Sequence, residues 1–254
     1  SWISWSHRKT IPSGLKIIGI PIKRSAGIIA SFRARKAILF YTLMGLPWQT
    51  AVPAEVVVDD SPALRPAMMT PASIVSGVSG SLPSFRVTST SVRPQIDGKL
   101  DDFCWQTAQA SQGFTQVDPH EGAEPTERTE LRVVQDQDYL YVAVRCLDRD
   151  PKGIVAAQMQ NDSDVSTDDT VSLVFDTFGN QRDGYLFMLT PRGAKLDALL
   201  GPEGVRAEWD AIWEGASLMD EEGWTAEFAI PFKSLSFGPA GNPWGFNVER
   251  VIRR

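Results

Sequence analysis

A chain of 254 residues with a hydrophobic fraction of 43% holds ample material for a core, in one large domain or two small ones. Its net charge of −6 is unevenly spread: residues 1–54 carry eight Lys or Arg and no acid, leaving 17 basic against 31 acidic residues in 55–254, a balance of −14. A body that acidic repels phosphate backbones, which excludes nucleic acid as a partner.

In chain order, residues 1–32 come first. They are basic, broken by Pro12 and Pro21, and contain no Met. They are read as sequence upstream of an exported protein, with no fold of their own. Arg33, Arg35 and Lys36 then precede the apolar run 37–46, which is followed by Pro47 and the small-residue stretch Ala51-Val-Pro-Ala54. Positive, apolar and small residues in that order predict a secretory signal cleaved after Ala54, hence export to the periplasm, outer membrane or cell surface. The apolar run falls short of the roughly 20 residues that span a bilayer. Residues 55–84, punctuated by Pro62, Pro66, Pro71 and Pro83, read as a disordered linker: proline removes ladder donors, and the small residues between cannot build a core.

From Phe85 to Arg254 the hydrophobic pattern turns to period 2, the mark of half-buried strands. Leu140, Val142, Val144 and Cys146 share one face of their run, and Val171, Leu173 and Phe175 share another. The same alternation joins Tyr185 with Phe187 and Leu189, Leu196 with Ala198 and Leu200, Trp224 with Ala226, Phe228 and Ile230, and Trp244 with Phe246 and Val248. Turn residues separate these runs: Asp136-Gln-Asp138, Gly179-Asn180, Asp183-Gly184, Pro191-Arg-Gly193 and Asp220-Glu-Glu-Gly223. One short helix is predicted over Leu100–Ala110, with Asp101 as its cap, as a lid over one end. The expected fold is therefore all-β, an antiparallel, jelly-roll-like β-sandwich over residues 85–254 with a short lid helix.

Catalysis has little support in the residues. After the signal only His120 remains to serve as a histidine base or ligand, and it sits in a Pro119/Gly122 loop. A glycosidase needs two carboxylates across a cleft, and among 31 acids no pair stands out. Cys104 and Cys146 are read as free thiols, Cys146 because it alternates inward with Val144.

The segment Ile96-Asp-Gly-Lys-Leu-Asp-Asp-Phe-Cys-Trp105-Gln-Thr-Ala108 resembles the opening of family 9 carbohydrate-binding modules. Five further stretches match in order: Leu131–Val133, Asp138–Val142, Asp168–Asp176, Gly223–Phe232 and Trp244–Asn247. Within the motifs, Gly98 reads as a tight-turn glycine, and Trp105 and Trp224 as core anchors. The variants Glu127-Arg-Thr-Glu130, Phe178–Gly184 and Asn247-Val-Glu-Arg250 resemble a subgroup that leads large bacterial exported proteins whose remainder is a predicted outer-membrane β-barrel region. The resemblance implies a non-catalytic module that binds polysaccharide or oligosaccharide in carbohydrate catabolism. Two alternatives stay open: a non-sugar-binding N-terminal domain of an outer-membrane barrel protein, and an accessory part of a glycoside hydrolase.

Sugar binding needs flat aromatic faces flanked by polar side chains. Trp209 and Trp213, four apart in an extended run, fall on one face among Glu208, Asp210 and Glu214. Trp209, Trp213 and Asp210 are therefore the candidate carbohydrate-binding residues; the alternative is that one or both rings cover the second face of the sandwich. Modules of the resembled family often carry structural calcium, for which Asp162, Asp164, Asp168 and Asp169 are the candidate oxygen ligands. The same acids are also what a solvated loop before a strand would show, and no EF-hand glycine or terminal Glu accompanies them.

Overall fold

The computed structural model describes residues 16–19, 84–239 and 242–254. The expected signal at 33–54 and nearly all of the expected linker at 55–84 lie outside the described residues.

Twelve strands and one short helix make up the described chain. The strands are β1 (Lys16–Gly19), β2 (Ser84–Arg86), β3 (Thr88–Ser89), β4 (Thr129–Gln135), β5 (Tyr139–Leu147) and β6 (Thr170–Asp176). Then follow β7 (Gly184–Leu189), β8 (Lys195–Gly201), β9 (Gly204–Arg206), β10 (Glu214–Asp220), β11 (Gly223–Pro231) and β12 (Trp244–Val251). They form two sheets, ordered β2-β1-β12-β6-β7-β8-β9 and β10-β11-β5-β4-β3. Pairing is antiparallel throughout except at β1–β12 and β3–β4. The sequence analysis leaves residues 1–32 without a fold, whereas Lys16–Gly19 pair with both β12 and β2. The open edge of β12 is a template for any short extended run, and Ile17-Ile18 has the β-branched character to take it.

The alternation places the predicted faces as expected. Leu140, Val142, Val144 and Cys146 of β5, Val171, Leu173 and Phe175 of β6, and Trp224, Ala226, Phe228 and Ile230 of β11 all enter one central cluster. Its rings interlock: Phe175 stacks on Phe246 at 4.8 Å and meets Trp244 edge-on at 6.4 Å. Leu196 and Ala198 of β8 belong to a different cluster, with Leu186 and Met188 on the outer face of the larger sheet. The inner face of β8 therefore carries Lys195 and Asp197.

The helix α1 (Phe103–Thr107) is shorter than predicted, and its N-cap is Asp102 rather than Asp101. It covers the outer face of the five-stranded sheet rather than an end, packing Cys104, Trp105 and Ala108 on Val134, Tyr141, Ala143 and Ala229. Cys146 lies in the central cluster while Cys104 lies under α1, so the sheet separates the two thiols, and both are free.

Glu227 of β11 joins this outer layer to the sheet. It is 0% exposed. Its Oε2 accepts the backbone N–H groups of Gly98 at 2.6 Å and Asp97 at 3.1 Å, and its Oε1 accepts the Trp105 indole N–H at 2.8 Å. The Gly98 carbonyl in turn accepts the Thr225 hydroxyl. Gly98 adopts φ +86°, and a Cβ there would stand 2.9 Å from the backbone nitrogen of Leu218, so the turn takes no other residue without strain.

At the far end of β12 the two sheets are tied by arginines. Arg250 Nη1 donates to the carbonyls of Leu147 at 2.9 Å and Arg128 at 3.2 Å. Arg254 Nη1 donates to both oxygens of Asp148 at 2.8 and 2.7 Å, and its Nη2 to Glu127 Oε1 at 2.7 Å.

Burial pushes the Glu227 carboxyl up to about 7, against its N–H donors, which favour the charged form. A carboxyl whose folded pKa exceeds its unfolded one takes up a proton on folding. Its contribution is complete below the unfolded value and is lost as pH rises through about 7. Urea denaturation is therefore expected to show stability falling between about pH 5 and 8, a slope that Glu227→Gln reduces. The same substitution turns one acceptor into a donor facing N–H groups and is expected to cost about 1–3 kcal/mol.

Candidate functional site

The predicted aromatic run lies in the connection from β9 to β10, and the structure separates its two rings. Trp213 is 5% exposed and belongs to the central cluster. It stacks on Phe228 of β11 at 5.7 Å with 9° between planes, and meets Phe187 of β7 edge-on at 5.3 Å. Trp209 is half-buried, resting on Tyr185 at 5.3 Å and Phe187 at 6.1 Å. A two-ring platform is therefore not what this run builds. Trp213 goes inside because its one polar atom finds a partner there: its indole N–H donates to Asp197 Oδ1 at 2.9 Å, so no unpaired donor is buried.

Asp197 is the residue that sequence reasoning missed. Its Oδ2 also accepts the Ala211 N–H at 2.8 Å, and burial pushes its carboxyl pKa above the usual range. The available signal was an acid alternating between Leu196 and Ala198.

With Trp213 inside, Trp209 remains at the wall of an open depression of about 400 Å³ lined by Trp209, Asp210, Ala211, Ile212, Lys233 and Ser234. Two segments shape it: the connection before β10 and the single 3-10 turn Phe232–Ser234 after β11. Ser234 Oγ donates to the Ile212 carbonyl at 2.8 Å and clips the two together. Asp210 and Lys233 are exposed, as is Ile212 at 76%. Lys233 and Ser234 follow directly on the Ala229-Ile-Pro-Phe232 stretch of the motif, but nothing in the sequence alone brings them to Trp209. An indole beside a carboxylate and an ammonium offers a surface for sugar C–H groups and partners for hydroxyls on both sides.

The four aspartates do not converge. Asp168 is fully buried, with Oδ2 accepting the Gln158 N–H at 2.7 Å and Oδ1 the Thr167 hydroxyl at 3.2 Å. Asp169 Oδ1 accepts the Arg253 N–H at 2.9 Å, and Asp164 Oδ1 accepts the Ser166 N–H at 3.0 Å. Asp162 is exposed at φ 56°, its own N–H donating to the Lys195 carbonyl at 2.9 Å. Among the described residues no three His, Cys, Asp or Glu gather as a metal-ligand set. Asp164 and Asp168 accept N–H groups of the segment before β6, while Asp169 ties that segment to the chain after β12. His120 is exposed in its loop.

The family model described as Carbohydrate family 9 binding domain-like matches residues 96–251. The chain belongs to this family. The match runs from the Ile96-Asp-Gly98 turn to the end of β12 and contains every residue of the depression. Among solved structures, a family 9 carbohydrate-binding module from Caldicellulosiruptor kristjanssonii in complex with cellotriose is similar at 17% identity and a TM-score of 0.45, over 64% of this chain and 73% of that one. The same module in complex with glucose gives 17% and 0.45, over 64% and 74%. A structure from Bacteroides uniformis gives 13% and 0.49, over 66% and 83%. No curated protein matches the chain.

Two tests follow for this family 9 domain. Trp213→Ala is expected to cost about 3–5 kcal/mol in urea denaturation, as truncations of buried aromatics do, and Trp209→Ala clearly less. Melting curves of the metal-stripped chain with and without millimolar calcium test the calcium expectation: a cation bound only by the native state raises the midpoint, and superimposed curves remove it.

Proposed function

We propose that this chain is the carbohydrate-binding module of an exported protein and that it holds one or a few sugar units of an oligosaccharide or polysaccharide in the Trp209 depression. The observation that carries the reading is the half-buried indole of Trp209 at the wall of a depression flanked by Asp210 and Lys233. The ring offers a stacking surface, the carboxylate accepts from sugar hydroxyls and the ammonium donates to them. Membership of the carbohydrate-binding family supports the ligand class. The strongly acidic body supports an uncharged glycan over a polyanionic one. In this reading the module is a tether, bringing a larger protein to polysaccharide in carbohydrate catabolism.

One observation favours a second reading, a non-sugar-binding domain ahead of an outer-membrane barrel: the burial of Trp213 leaves one ring where the sequence offered two. Calorimetric titration separates them. Cellotriose, the sugar in the Caldicellulosiruptor structure, is the first probe, followed by a panel of neutral oligosaccharides. Binding by the parent and a loss of about tenfold or more in Trp209→Ala, with a nearly unchanged thermal melt, is the expected result; tenfold corresponds to about 1.4 kcal/mol. A parent without affinity for any member of the panel removes the sugar reading and leaves the barrel-domain reading standing.

A further inference from the structure

The walls of the depression come largely from a connection with no ladder of its own. Between the end of β9 at Arg206 and the start of β10 at Glu214, the chain is held by side chains reaching from β8. Asp197, 6% exposed, commits one carboxylate oxygen to each end of a three-residue span: Oδ2 to the Ala211 N–H at 2.8 Å, and Oδ1 to the Trp213 indole at 2.9 Å. Lys195, two residues back on the same face, reaches a third polar group of the span. Its Nζ donates to the Trp213 carbonyl at 3.0 Å and lies 4.9 Å from the centre of the Trp213 ring. Three bonds from two side chains thus fix the backbone at 211 and 213. Ile212 stands between them and Trp209-Asp210 directly before them, and these residues line the depression.

We propose that Lys195 and Asp197 are positioning residues for the ligand site: neither lines the depression, yet together they hold the Ala211–Trp213 span in the one conformation that presents Trp209 and Asp210 to a sugar. The proposal rests on the reading of the depression as the sugar site. Its physical basis is preorganisation. A wall that is rigid before binding has no ordering entropy left to lose, and the ligand keeps that free energy as affinity. The burial of Asp197 is also self-consistent electrostatically. A buried carboxylate is tolerated where two N–H donors meet it, and these two bonds oppose the burial and the neighbouring acids Asp162 and Asp210 that push its pKa up.

The test uses the full chain labelled with ¹⁵N, in which the Trp213 indole N–H signal is assigned by its loss in Trp213→Phe. Asp197→Asn preserves side-chain size and makes one acceptor a donor. It is expected to shift the Trp213 and Trp209 indole signals, to speed solvent exchange of the Trp213 N–H, and to weaken cellotriose binding at least fivefold while the chain still melts cooperatively. Lys195→Met, which removes the bond to the Trp213 carbonyl and the charge over the Trp213 ring, is expected to shift the same signals and weaken binding by a smaller factor. Should Asp197→Asn not fold, the lysine variant carries the same readouts. Parent-like affinity or unmoved indole signals in a folded variant of a sugar-binding parent would overturn the positioning role. A parent that binds none of the panel overturns the site reading instead, and the ligand half of this proposal with it.

Discussion

Much of the fold depends on one carboxylate that water does not reach. Glu227 projects from β11 onto the outer face of the five-stranded sheet, where an acid is ordinarily solvated. Here it accepts two backbone N–H groups of the Asp97-Gly98 turn and the indole of Trp105. These are the donors that α1 and the turn before it would otherwise bury without partners. The family motif is explained by that contact. Gly98 is required by its positive φ and by the closeness of Leu218, and Trp105 by the indole N–H that reaches the carboxylate while its ring seals the layer. Two stretches about 130 residues apart thus form a single polar joint.

A second joint, at the Leu147 end of β5, uses the same logic with charge on both sides. Arg250 and Arg254 reach from the end of β12 to Asp148, Glu127 and the carbonyls of Leu147 and Arg128. Burying such groups is costly alone, and their mutual pairing offsets the cost without guaranteeing a net gain. What the network does supply is register, since β12 and β5 belong to different sheets and the bonds from Arg250 and Arg254 to Leu147 and Asp148 fix one alignment between them. The Glu127 and Arg250 motifs, which the sequence analysis attaches to a subgroup, meet at this joint. A structural role therefore accounts for them.

Around Trp213 the core and the surface are continuous. Phe187 touches both Trp213 and Trp209, so the buried ring and the exposed one share a wall. The depression is in this sense an outcrop of the core: Trp213 supplies the anchor and Trp209 the surface, and Asp197 settles the anchor's only polar atom. Coupling of this kind makes a ligand site rigid at little entropic expense, because the core has already been ordered by folding.

The sequence by itself determined the strands, their inward faces, the turns between them and the tight glycine at position 98. These are local, and a period of 2 records them directly in the order of residues from Tyr139 to Cys146 or from Trp224 to Ile230. Only the tertiary structure decided what each outward face meets. Glu227 and Asp197 alternate in their strands as ordinary solvent-facing acids would, and both are buried because α1 and the Ala211–Trp213 span come to cover them. Trp209 and Trp213, four apart and alike in sequence, part company for the same reason: an acceptor waits for one indole and not for the other. The aspartates from 162 to 169 sit close together along the chain, yet their oxygens are taken by different backbone donors, Gln158 for Asp168, Ser166 for Asp164 and Arg253 for Asp169. Alternation reports that a strand has two faces; what lies against each is set by residues too distant for any local pattern to register.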